Sequence, residues 1–258
     1  MSVLAVIEHD RGSLTSASLG VLTAGRALAK QMGTQLEAVT IGANADALST
    51  VAAAHGASVT HQVHHAALVD FGPEAWGESL AQVIRATNPQ VVIGTGTERG
   101  HEIVAQAAAR LDLPAAMNCT EFDENFTGAG ALNVLRTRWG GSLMERAAVD
   151  APVKLVTLAN HVVEPSESPV AGTTQVHDVA LDDSVLHSFV ADRVERVAGV
   201  TLATSPVVVS GGRGVGSAEA FAPLEELAAL LGGVVGCSRA VTNNGWRNHT
   251  DQIGRAHV

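Results

Sequence analysis

VVVSGGRGVGSAEAF, residues 207–221, reads as a strand, a glycine-packed turn and the opening of a helix. The helix runs on through SAEAFAPLEELAALLG, and a second strand follows in GVVGCSRA, so an α/β unit begins after Pro206. A glycine turn opening a helix can set free backbone N–H groups and the positive helix end against an anion. GGRGVG is not the dinucleotide fingerprint, because no frame places its glycines at G-x-G-x-x-G. From Gly211 to Ser217 it approximates a P-loop, but no lysine follows Gly216, and an ATPase needs that lysine on the phosphates. Taken alone, the turn is either a phosphate-holding loop or a plain connector.

The next strand sharpens the choice. It ends in GCSRAVTNNGW (236–246), so Ser238 and Arg239 are expected to leave the same sheet edge as Arg213. In a parallel sheet, ligands sit outside the carboxyl ends of neighbouring strands. Two successive strands then aim arginine, serine and glycine N–H groups at one crevice. The competing reading has both arginines as solvated loop charges.

Working back towards the N-terminus, strand and helix alternate. Strands are expected at 2–9, 35–42, 58–63 and 90–97, and helices at 14–33, 44–56, 73–88 and 99–111, with Gly33, Gly56 and Pro73 marking helix ends. This alternation is the signature of a doubly wound, mostly parallel α/β sheet. Residues 116–124, 130–139, 142–150 and 153–160 then read as four consecutive strands, taken as an antiparallel extension. Segment 161–206 is polar, acidic and proline-punctuated, and is expected to be a linker with one strand near 175–181. The expected division is an N-terminal α/β domain over 1–160, a linker over 161–206, and an incomplete second, Rossmann-like α/β domain over 207–258.

Composition narrows the function classes. Apolar residues at 46% against 16% charged support a real core, and aromatics at only 3% point to close, alanine-rich helix packing. A formal charge of −10 with no lysine or arginine run disfavours a nucleic-acid or anionic-membrane surface. Two distant cysteines, Cys119 and Cys237, fit a reducing compartment and exclude a disulfide framework. The N-terminus opens directly as a strand without a signal-peptide pattern, and 227–237 is too short to span a bilayer, so a cytoplasmic protein is expected.

With SGGRG after a strand, then a GxSR segment, then QIG, the chain resembles the alpha subunit of electron-transfer flavoprotein. VLAVIEHDRGSL resembles that family's first strand and loop, and Arg138-Trp139-Gly140-Gly141 its domain-one arginine–glycine segment. The resemblance covers nearly the whole chain. It implies a second domain that binds FAD, an electron carrier rather than a substrate-transforming enzyme, and a heterodimer with a beta subunit contacted chiefly through the first domain. It implies electrons taken from dehydrogenases, such as acyl-CoA dehydrogenases, and passed through a quinone oxidoreductase to the respiratory chain. Carried over by motif, Arg213 and Gly214 lie at the flavin site, Ser238 and Arg239 beside the ring, and Ile253 and Gly254 begin a loop along it. A guanidinium near the ring's N1–C2=O edge favours the reduced, anionic flavin and raises its potential.

The family continues beyond QIG with a longer remainder, whereas this chain ends QIGRAHV. IGRAHV matches one translated frame of a widely used sequencing adapter, so the chain is expected to be truncated within the FAD-binding domain and to hold FAD weakly or not at all. Other candidates have plainer readings. His61, His64 and His65 form HxxHH at a strand end, where helical ligand spacing fails. HEIVA at 101–105 lacks the second histidine of HExxH, and no serine sits in G-x-S-x-G. Cys237 is a small buried residue or, near a flavin, a redox-sensitive one. TGTERGHE (95–102) is either a plain loop or a cradle for an adenine nucleotide, the latter giving a second hypothesis: an adenine-nucleotide-binding or interaction module without redox activity.

Overall fold

The computed structural model describes residues 2–191, 202 and 205–253, which fall into two compact units, 1–191 and 192–258. Apolar runs at the sheet centre explain why the first unit is doubly wound. Its strands are β1 (Ser2–Val6), β2 (His9–Asp10), β3 (Ser13–Leu14), β4 (Gln35–Ile41), β5 (Ala57–His64), β6 (Val91–Thr95), β7 (Ala115–Phe122), β8 (Leu132–Arg138), β9 (Leu143–Val149), β10 (Lys154–Leu158) and β11 (Thr173–Asp178). The helices are α1 (Ala17–Gln31), α2 (Ser49–Ala54), α3 (Pro73–Thr87) and α4 (Glu98–Leu111). Nine strands form one sheet in the order β11-β5-β4-β1-β6-β10-β7-β8-β9, parallel from β11 to β7, with β8 and β9 antiparallel at one edge. β1, β6 and β10 are buried along their whole length, as strands covered on both faces must be.

One face packs residues of α1 and α2, among them Leu22, Leu28 and Ala52, against Val3, Ala5 and Ile93. The other packs α3 and α4, through Trp76, Leu80, Ile84, Ile103 and Val104, against Leu4, Val39 and Val92. Each fully buried leucine or isoleucine here contributes about 1.5–3 kcal/mol relative to exposure. Trp76 donates from Nε1 to the Asp70 carbonyl at 3.0 Å and meets the His9 ring at a tilt and the Phe71 ring edge-to-face. α3 opens with Pro73, whose missing N–H would be unsatisfied there in any case, and ends on left-handed Asn88. α4 is capped by Thr97, whose hydroxyl accepts from the Gly100 N–H at 2.9 Å, and ends on left-handed Asp112.

Four expectations need correction. β10 is not part of the antiparallel extension: it inserts between β6 and β7, parallel to both. Its continuous apolar run KLVTL is buried on both faces, while β9 next to the hairpin tip is mostly exposed. Residues 161–191 are not linker. The Ser168 and Val170 N–H groups donate to the Ala54 and Ala53 carbonyls, Arg26 donates to Ser166, and β11 pairs with β5 as an edge strand. The rest of the expected linker falls largely outside the described residues. The helix expected over 44–56 is a 3-10 turn at Ala43–Leu48 followed by α2, and 13–14 belongs to a small β2–β3 hairpin ahead of α1.

Two expected outcomes follow from this packing. A Cβ at Gly77 would stand 2.2 Å from Gln106 Cβ where α3 meets α4. Gly77→Ala gains roughly 1 kcal/mol of helix propensity but forces the helices apart, so a net loss of about 1–3 kcal/mol is expected in urea unfolding. His9 is held neutral: Nδ1 accepts from the Gly12 N–H at 3.2 Å, so Nε2 donates to the Ile41 carbonyl at 2.9 Å. Burial lowers its pKa below 6.5, and likewise those of His101 and His177. The folded chain therefore binds fewer protons than the unfolded one, so stability is full above 6.5 and falls as pH drops below it. Thermal melts between about pH 7.5 and pH 5.5 should show this decline, with a shallower slope in His9→Asn, where one of the three rings is gone.

Candidate functional site

The second unit is built from β12 (Val208–Gly211) and β13 (Val234–Cys237), joined by a 3-10 turn at Glu219–Phe221 and α5 (Ala222–Leu230), with α6 (Arg239–Asn243) after β13. β12 and β13 pair in parallel, Ser210 beside Gly236 and Gly211 beside Cys237. The residues that follow leave side by side. The Ser238 N–H donates to the Gly211 carbonyl at 3.1 Å, and a Cβ at Gly212 would lie 3.8 Å from Ser238 Oγ. Arg213 then opens a 3-10 turn over Arg213–Val215, and Arg239 opens α6.

The glycines of this turn serve different ends. A Cβ at Gly211 would collide with Phe221, Leu224 and Val215 at 2.7–2.8 Å, so Gly211 is a packing glycine. Gly216 has φ +94° and needs glycine for its backbone. Gly214 has neither reason: nothing lies within 4 Å of an added Cβ, its φ is not positive, and it is exposed. Bare backbone facing open space suits the close approach of a ligand.

The electrostatics agree. Arg213 and Arg239 are exposed and make no ion pair or side-chain hydrogen bond among the described residues, and the Ser238 hydroxyl is half-buried and likewise unpartnered there. No Asp or Glu occurs in 207–218 or 233–250, although the chain as a whole carries −10. The third described arginine of the unit, Arg247, is engaged instead with Glu225 at 2.6 Å and Asp251 at 3.1 Å, over the Phe221 ring. Burial works against its charge, yet these carboxylates hold its pKa above the usual arginine value. Two free guanidinium groups, a hydroxyl and bare glycine backbone form a donor set that fits an electron-rich, anionic ligand such as a flavin dinucleotide.

The electron transfer flavoprotein domain family matches residues 3–184, and the electron transfer flavoprotein FAD-binding domain family matches residues 201–257. The chain belongs to the electron transfer flavoprotein alpha-subunit family. It is 32% identical over 260 residues to protein FixB of Azorhizobium caulinodans, covering 96% of this chain and 69% of that protein. It is 29% identical to electron transfer flavoprotein subunit alpha of Thermoanaerobacterium thermosaccharolyticum, covering 96% of this chain and 76% of the relative. With the Bacillus subtilis alpha subunit it shares 29% identity, over 98% of this chain and 77% of the relative. A member of this family is an electron carrier, not a substrate-transforming enzyme, and its cofactor is FAD.

Of the residues singled out by sequence, Arg213, Gly214, Ser238 and Arg239 follow the two paired strand ends. Ile253 has a different neighbourhood: its N–H donates to the Cys237 carbonyl at 2.8 Å, and its side chain packs on Gly236, so close that a Cβ there would stand 3.0 Å away. Gly254 lies outside the described residues. Sequence reading missed the Arg247 cluster and the Gln252 strand bridge to Cys237. An arginine four residues before an aspartate was the available signal.

In the first unit, the loop 95–102 is internally engaged. The Thr95 and Thr97 hydroxyls both donate to the buried Glu8 carboxylate, and a Cβ on Gly96 would strike the Leu158 carbonyl at 2.4 Å. The HxxHH histidines are already engaged: His61 with Glu37 and His177 and His64 with Asp46, each at about 2.9 Å, while His65 Nδ1 accepts from the Ala67 N–H at 3.1 Å. Among the described residues no helix is long and apolar enough to cross a membrane.

Cys119 and Cys237 are free and fully buried. Burial pushes the Cys119 thiol up to about 12 and raises Cys237 as well, so Cys237 packs against Phe221 and Val241 as a protonated thiol and not as a reactive thiolate. Iodoacetamide at about pH 8 should label neither cysteine in the native chain and both in guanidinium, read by mass spectrometry.

Proposed function

We propose that Arg213, Gly214, Ser238 and Arg239, with the segment beginning at Ile253-Gly254, form the flavin-facing wall of this electron carrier. The adjacency of two unpaired arginines at paired parallel strand ends, in a stretch without carboxylates, carries the reading. When bound, FAD supplies the ring that takes up and releases electrons. The chain's own part is electrostatic. A permanently charged guanidinium beside the ring stabilises negative charge there and so raises the potential. The Ser238 hydroxyl donates a hydrogen bond, and Gly214 lets the ligand approach the backbone.

We further propose that the chain works as a heterodimer with a beta subunit in the cytoplasm, where two unpaired buried cysteines are at home. Its electrons would come from dehydrogenases, such as the acyl-CoA dehydrogenases of fatty-acid oxidation, and leave through a quinone oxidoreductase to the respiratory chain. The alternative, an adenine-nucleotide module built on the loop 95–102, is disfavoured because that loop's hydroxyls are spent on Glu8.

Calorimetry with FAD and with AMP separates the two. Preference for FAD is expected, and AMP binding without FAD binding would overturn the flavin reading. In the flavin-loaded protein, Arg239→Ala should lower the midpoint potential by on the order of tens of millivolts. Arg239→Lys should recover part of it, and an unchanged potential in Arg239→Ala would remove Arg239 from the site.

A further inference from the structure

The described core of the second unit is small. Among the described residues its buried cluster is Phe221, Cys237 and Val241, with Val215, Leu224, Val235 and Trp246 packed around them. So small a core does little to fix the exposed turns beside it. Arg247 spans it. Its guanidinium lies 5.2 Å from the centre of the Phe221 ring, with its side chain 19% exposed, and it forks to Glu225 on α5 and to Asp251 ahead of the Gln252 bridge.

Follow each arm to its end. Beneath the guanidinium, Phe221 presses on Gly211, where a Cβ would meet its ring at 2.7 Å, and Gly211 stands two residues before Arg213. Through Asp251, the other arm holds Gln252 and Ile253 alongside Cys237, which stands two residues before Arg239. Thr242 of α6 closes the same loop by donating to Gln252 Oε1 at 3.1 Å. One side chain thus reaches towards both arginine-bearing turns, through Phe221 and Gly211 on one side and through Asp251, the 252–253 segment and Cys237 on the other.

We propose that Arg247 is a positioning residue for the flavin face: by clasping α5 and the 249–253 segment across Phe221, it fixes the two turns that carry Arg213 and Arg239. It does not touch the ligand. The inference rests on the flavin reading above, and it is distinct from a general contribution to stability because a fixed placement of charge shows in the flavin's potential and spectrum. Groups that orient a binding residue from behind commonly alter affinity tenfold or more when removed.

The test uses the full chain with FAD. Arg247→Met keeps the length and covers the Phe221 ring but breaks both ion pairs. With unchanged far-ultraviolet circular dichroism, it should raise the FAD dissociation constant by about tenfold and shift the midpoint potential and visible circular dichroism of the flavin. Arg247→Lys should recover part of each. Wild-type affinity and potential in Arg247→Met would overturn the proposal. Should that variant not fold, Glu225→Gln opens one arm alone and should give a smaller change in the same direction; no change there would equally overturn it. If the wild-type chain binds too little FAD for these readouts, the clasp is read without the flavin. Amide exchange then tests the clasp directly: faster exchange over 212–215 and 238–241 in Arg247→Met or Glu225→Gln supports it, and unchanged exchange overturns it.

Discussion

Parallel pairing with Gly211 opposite Cys237 is the constraint from which the rest of the second unit takes its form. Side chains alternate along each strand, so two strands locked at this offset release their next residues in step. Shift the pairing by one residue and Ser238 no longer faces Gly212, nor does each arginine begin a helical turn at the same height. Gly211 protects that register, since its missing side chain is the space into which Phe221, Leu224 and Val215 close.

Charge is distributed with the same economy. A chain with ten net negative charges would hold an anionic ligand poorly if its acids were spread evenly. They are not: the two turns lie in stretches without a carboxylate, and two acids of the same unit, Glu225 and Asp251, are paired with Arg247. Among the described residues Arg213 and Arg239 keep their guanidinium groups unpaired, while Arg247 alone is held by carboxylates.

Much of this was legible beforehand. The alternation of strand and helix over the first 111 residues follows from apolar periodicity and glycine or proline punctuation, and the observed elements match it closely. The SGGRG and GCSRA turns could be read because strand, glycine and arginine stand at matching places in both. Register and neighbours across the sheet could not. VKLVTLAN and SLMERAAVD both read as strands, but only the unbroken apolar run of the first marks a place in the middle of a parallel sheet. The polar composition of 161–191 suggested a tether, because an edge strand such as β11 pairs through its backbone and leaves most side chains in water. Glu8 was invisible since its partners Thr95 and Thr97 come from a distant segment of chain, and Arg247 showed only its Asp251 partner, its contacts with Glu225 and Phe221 needing the fold.

The place of β10 has a consequence for how the protein emerges from the ribosome. Residues 154–158 lie between β6 and β7, both made earlier, so the hairpin of β8 and β9 and the strand it hangs on have no partner in the nascent sheet. The growing chain carries them as an undocked flap until the missing plank is threaded between. Closure at the far side waits longer still, for 173–178 to cover the open flank of 57–64. For that interval two strand borders stay unpaired, which makes this stretch of translation the moment of greatest exposure to misassociation.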